Sequence, residues 1–151
     1  MSEPIILSTP NRYRVTPPDL EQWLTDYVRQ VASVEDIDVE VGNKEPEDLS
    51  LPLPRPLIVI RDDSGPKLSR VTFDRSIGAT VLGGSRQDDG PTNDLARWLA
   101  ALLHDPDIVL EPDCPIAAVV EDGCNGPYAV PESLDVARRY MTAQYVAAGS
   151  W

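Results

Sequence analysis

Between Ser69 and Leu103 the spacing of the apolar residues changes from two to about 3.6, and that switch commits the middle of the chain to a strand followed by a helix. Val71, Phe73, Ile77, Ala79 and Val81 alternate as on the buried face of a long strand. The polar stretch GGSRQDDGP follows, and then Leu95, Trp98, Leu99, Leu102 and Leu103 recur at helical spacing. A strand longer than the usual length, a polar crossover and an amphipathic helix make a half-wound α/β unit. No nucleophile setting, metal cluster or phosphate loop lies on it, which points to a scaffold that binds other proteins.

The chain has 151 residues, enough for one domain that buries roughly 70% of the surface its unfolded chain exposes. Hydrophobic residues make up 42% and charged residues 25%, the balance of a globular domain and not of a disordered one. No apolar run approaches the ~20 residues of a membrane-spanning helix. The N-terminus has neither the basic region nor the apolar core of a signal peptide. A cytosolic setting is therefore expected, with Cys114 and Cys124 as free thiols. The formal net charge is −12, from 13 Lys and Arg against 25 Asp and Glu. That argues against a DNA-binding surface, whose affinity comes from basic side chains displacing counterions. Such an acidic balance favours solubility, and it also makes a surface that DNA passes without sticking.

Residues 1–15 show no helical period and are expected to be an extended arm, with Ile5, Ile6 and Leu7 followed by Tyr13 and Val15. Thr16 is expected to cap a helix, with Pro17 in its first turn and Asp19 in the capping-box position. Leu20, Trp23, Leu24, Tyr27, Val28 and Val31 then share one face, to about Ser33. Ile37, Val39 and Val41 alternate as in a short strand. The stretch 42–56 holds Pro46, Pro52, Pro54 and Pro56 and should be an extended connection outside any sheet interior. Residues 57–82 read as a β-hairpin turning at DDSGPK. Pro106 closes the second helix, 116–120 reads as a buried strand, and EDGCNGP reads as a turn. The last segment, 136–149, fits a helix by its alanines and a strand by its tyrosines and valines.

His104 is the single histidine, so no Ser-His-Asp or two-histidine metal arrangement forms within one chain. Its place at a helix end suits the dipole there. The pairs Asp62-Asp63, Asp88-Asp89 and Glu121-Asp122 lack the alternating spacing of a calcium loop and read as solvated turns. GGSRQDDGP lacks both nucleotide-loop signatures and reads as a flexible crossover. Trp23 and Trp98 belong to helix faces that pack on a sheet. Trp151 ends the chain after Gly149 and Ser150, a position suited to contact with a partner.

Three segments, LPRPLIVIRDDSG, VTFDRSIGATVLGGS leading into DLARWLAALL, and IAAVVEDGCNGPYAVPESLDVARRYMTAQYVAAG, carry a family likeness. With the helix before them they make the chain resemble the tail terminator, or tail completion, proteins of long-tailed bacteriophages, particularly those of phages infecting actinobacteria. The likeness covers roughly residues 16–149, which make a single domain, with 150–151 as its C-terminal end. The proline-rich stretch 42–56 and the alanine-rich ending depart from the family pattern. The elements and the resemblance together imply an α+β fold: a mixed, mostly antiparallel sheet of about four to five strands with two amphipathic helices packed on it. The resemblance also tips 136–149 toward a strand.

What the resemblance implies for function is a non-enzymatic virion protein without cofactors, assembled in the host cytoplasm. It forms a homo-hexameric ring at the head-proximal end of the tail, stops polymerisation of the tail tube protein and offers a surface to the head-completion proteins. Genomic DNA passes the acidic lumen without specific binding. A head-closure adaptor of the neck is the alternative, and a small acidic enzyme is a third class disfavoured by the single histidine. In a homo-ring one side of the subunit must complement the other. Arg70, Arg75, Arg138 and Arg139 are therefore expected at the interface, facing a neighbour's Asp62, Asp63, Asp88 or Asp89. Arg61 and Lys67 at the hairpin turn, Arg86 in the crossover, and Trp151 complete the candidates.

Overall fold

The computed structural model describes residues 3–7 and 13–151, so part of the arm expected over 1–15 lies outside the described residues. Helix α1 (Leu20–Val34) leads into strands β1 (Glu40–Gly42), β2 (Leu57–Asp62) and β3 (Thr72–Gly83). Helix α2 (Gly90–Leu103) follows, and then come strands β4 (Ile116–Val119), β5 (Asn125–Ala129) and β6 (Ala137–Ala148). The six strands make one open sheet in the order β1-β2-β3-β6-β4, with β5 also paired to β6. β1 runs parallel to β2, and every other pair is antiparallel. The fold is α+β, two helices on a mixed, mostly antiparallel sheet.

The period-two stretch of the sequence becomes the sheet's spine. β3 pairs with β6 over its whole length, from Thr72 opposite Ala148 to Gly83 opposite Ala137. β6 settles the two readings of 136–149 as a strand. Ala137, Met141, Ala143, Tyr145 and Ala147 are buried, and the residues between them are half-buried, the alternation that a pleated strand produces. Pairing on both edges of β6 outweighs the helix preference of its alanines. Since β3 and β4 both run antiparallel to β6, the β3-α2-β4 crossover skips one strand position, and the chain's last strand fills it.

Both helices pack on one face. Leu20, Leu24 and Val28 of α1 and Leu95, Leu99 and Leu103 of α2 meet Ile58, Ile60, Ile77, Val81, Met141 and Tyr145 in one core. On the other face a smaller apolar cluster forms where Leu49, Leu51 and Leu53 of the proline-rich connection cover Leu57, Val59, Leu82 and Val136. The connection stays outside the sheet, as its prolines require, and acts as a lid. Further along that face the exposed half is polar, with Gln144 donating to Asp74 Oδ1 at 2.9 Å.

Several expectations need correction. α1 begins at Leu20 with Asp19 as N-cap, its carboxylate accepting from the Gln22 N–H at 3.1 Å. Pro18 disfavours helical geometry at Pro17, and Thr16 instead pairs with Ser150 through main-chain bonds of 2.7 and 3.0 Å. The strand expected over 37–41 instead spans Glu40–Gly42, so it starts later and takes in the first residue of the expected connection. The strand expected to be buried, β4, lies at the sheet margin, with Ala117 and Ala118 exposed. EDGCNGP is not wholly a turn: a 3-10 turn at Glu121–Gly123 precedes β5, which adds a strand beyond the number expected. Gly126 makes β5 possible, because its φ is +94° and a side chain there would meet the Tyr140 carbonyl. Cys114 and Cys124 are free and half-buried.

Candidate interaction surfaces

The charged residues singled out in the sequence gather into two clusters at opposite ends of β3. Arg75 and Val81, which mark these ends, are six positions apart, or about 20 Å along a strand.

At the hairpin end Arg75 is only 8% exposed. Its Nη1 donates to the carbonyls of Gly65 at 3.0 Å and Asp74 at 2.8 Å, and its Nε lies 3.8 Å from Asp62 Oδ2. Its guanidinium also sits over the Phe73 ring, 5.2 Å from the centroid. Asp62 accepts from the Ser64 N–H at 2.7 Å. Burial pushes the Asp62 carboxyl above its usual range, against the Ser64 N–H and Arg75, which favour the charged form. Glu21, which the sequence reading passed over, ties α1 to this end. It accepts from the Asp62 N–H at 2.8 Å and from Asn43 Nδ2 at 2.9 Å, with Arg61 Nε at 3.6 Å. Asp63, Lys67 and Arg70 are exposed around the turn. The Gly149 N–H bonds the Val71 carbonyl at 2.9 Å, which brings the chain end with Trp151, 72% exposed, to the same side as Arg70.

At the crossover end a cavity of about 340 Å³ is bordered by Arg86, Asp89, Glu132, Arg138 and Arg139, together with Val130, Pro131, Val136 and Ala137. Arg139 Nη2 holds Asp89 at 2.8 Å. Arg138 makes a two-pronged pair with Glu45, at 2.7 and 3.0 Å, and reaches Glu132 with Nε at 2.7 Å. The bond from Arg138, and next the one from the Leu134 N–H at 3.1 Å, hold the Glu132 carboxyl below its usual range. The Arg86 N–H donates to Asp135 at 3.2 Å, and the Asp88 N–H donates to Ser85 Oγ at 3.0 Å. The crossover is thus tied to Asp135 at Arg86 and to Arg139 at Asp89.

Within the single chain Arg75, Arg138 and Arg139 already lie beside carboxylates of their own chain, Asp62, Glu45 with Glu132, and Asp89. Glu45 and Glu132 had no signal in the sequence, because nothing local links them to Arg138. Asp63, Lys67, Arg70, Arg86, Asp88 and Trp151 keep accessible surface.

His104 caps α2 and donates from Nε2 to the Thr142 carbonyl at 2.8 Å, which fastens the helix end to β6. Trp98 donates to Glu35 at 3.3 Å. Among the described residues no group of three His, Cys, Asp or Glu side chains is placed to hold a metal ion. Among them, too, no helix is long and apolar enough to cross a membrane.

A third surface runs beside α1. Trp23 and Tyr27 pack against the edge of the core, as their helix face implies, and with Val31 are only half-buried. With Asp26, Gln30, Val34, Glu111, Pro112 and Asp113 they line an open groove of about 500 Å³. Trp23 and Tyr27 stack with centroids 5.1 Å apart and planes 13° from parallel. Burial, and next the charge of Glu111, raise the Tyr27 phenol above its usual pKa.

No family model matches the chain, and no curated protein matches it significantly.

Proposed function

We propose that this chain is a structural virion protein, a tail terminator that closes the head-proximal end of a phage tail tube as a ring. It halts tube polymerisation, presents the joining surface to the head-completion proteins, and acts without catalysis. The observation that carries this reading is the placement of the three segments resembling the terminator family. They fall on β2 with its turn, on β3 running into α2, and on β4 through β6, which together make up most of the sheet and its second helix. The final Arg-Tyr segment is a strand, as the resemblance implies.

Two further features support a ring. The sheet is open, with a parallel edge at β1 and a margin shared by β4 and β5 on the other side, so the subunit presents two unlike sides, as a head-to-tail ring needs. Each copy brings a charge of −12, and acidic groups around a lumen repel passing phosphate. Negative-stain electron microscopy with solution mass over a range of concentrations tests the reading. Sixfold rings are expected; a chain that is monomeric throughout moves the assignment to a head-closure adaptor.

A further inference from the structure

The segment before α1 and the groove beside α1 are complementary in both polarity and charge. Ile5, Ile6 and Leu7 are 86%, 93% and 58% exposed, a contiguous apolar run facing water. Isolated apolar residues on a surface are ordinary, whereas consecutive ones mark a contact. The groove has an apolar floor of Trp23, Tyr27, Val31 and Val34 under an acidic rim. Val34 is itself 78% exposed. Residues 1–15 carry Arg12 and Arg14 against Glu3, a basic segment in a chain of net charge −12.

Among the described residues of the arm, Ile5 and Ile6 stand in solvent and do not occupy their own chain's groove. We propose that the arm of one copy lies in the α1 groove of the next copy, with Ile5–Leu7 on the Trp23–Val34 floor and the basic arm against Asp26, Glu111 and Asp113. Nine residues from Leu7 to Thr16 span up to about 30 Å when extended, enough to cross to a neighbour. The contact joins two different surfaces, so it repeats around a ring. It stands independently of the tail reading, because it would link copies of this chain in any assembly.

The test is photo-crosslinking of the full chain carrying benzoylphenylalanine at position 6, in an equal mixture of isotopically light and heavy protein. Cross-links joining position 6 of one isotope to the Trp23–Val34 peptide of the other are expected. Ile6→Asp and Val34→Asp alter exposed positions without touching the core, and each should raise the dissociation constant of the oligomer about tenfold or more. Cross-links confined to single chains or to another surface would overturn the proposal, as would variants whose mass profile matches the parent. A parent chain that stays monomeric and yields no cross-link between copies overturns it too. The tail reading fails on a separate result, tubes that elongate unchecked beside the protein.

Discussion

Arg138 of β6 grips Glu45 of the proline-rich connection through two hydrogen bonds of 2.7 and 3.0 Å, while its Nε holds Glu132 at 2.7 Å. One guanidinium thus fastens the lid formed by Leu49, Leu51 and Leu53 to the central strand pair. Arg138→Lys keeps the charge but loses the planar fork. Limited proteolysis should then cut between Asn43 and Pro56 faster than in the parent, with Arg138→Ala faster still and lower in Tm. Equal cleavage rates would show that the leucines alone hold the lid.

The same cluster sets a pH dependence. The folded-state pKa of Glu132 lies below its ordinary value of 4.5 because Arg138 donates to it. Its stabilisation is complete above that ordinary value and is lost as pH falls through the depressed one. Glu132→Gln should therefore lose less stability than the parent between about pH 6 and about pH 3 in urea titrations. Asp62 runs the other way: its pKa is raised by burial, so its contribution is present at low pH and is lost as pH rises through the raised value. A mutant whose acid limb parallels the parent's would remove Glu132 from the account.

Tyr145 is fully buried, and its hydroxyl donates to the Leu103 carbonyl at the end of α2. Tyr145→Phe keeps the ring but leaves that carbonyl without its partner. A loss of about 1–2 kcal/mol in urea-unfolding free energy is expected, with an unchanged m-value. A neutral result would mean that the helix end finds another donor.

Arg75 ties the hairpin together from inside its own chain. Arg75→Ala strips the Gly65 and Asp74 carbonyls of a charged donor and should cost about 2–3 kcal/mol. Amide exchange should quicken first over 62–76. A variant as stable as the parent but impaired in assembly would give Arg75 its role at the interface instead.

How much of this was legible depends on the range of the interaction. The strand, crossover and helix between Ser69 and Leu103 were readable because burial alternates locally in a strand and every third or fourth residue in a helix. β5 was hidden because Gly126 and Pro127 are turn residues, and only the neighbouring β6 makes a strand of them. Periodicity showed that Trp23, Tyr27 and Val31 share an apolar side of α1. It could not show that the packing beneath covers Leu20, Leu24 and Val28 and leaves the others lining a groove. Arg75 did carry a signal, since it falls in step with Phe73 and Ile77, and an inward arginine needs internal partners. The pairing of Arg138 with Glu45 carried none, because their meeting depends on the completed sheet.

Tube assembly tests the central claim most directly. Electron microscopy would follow the lengths of tubes growing from the cognate tail tube protein, with and without this chain. Growth that stops, with one tube end capped by a ring of this protein, is the expected result. Tubes that lengthen at the same rate and carry no cap would contradict the account.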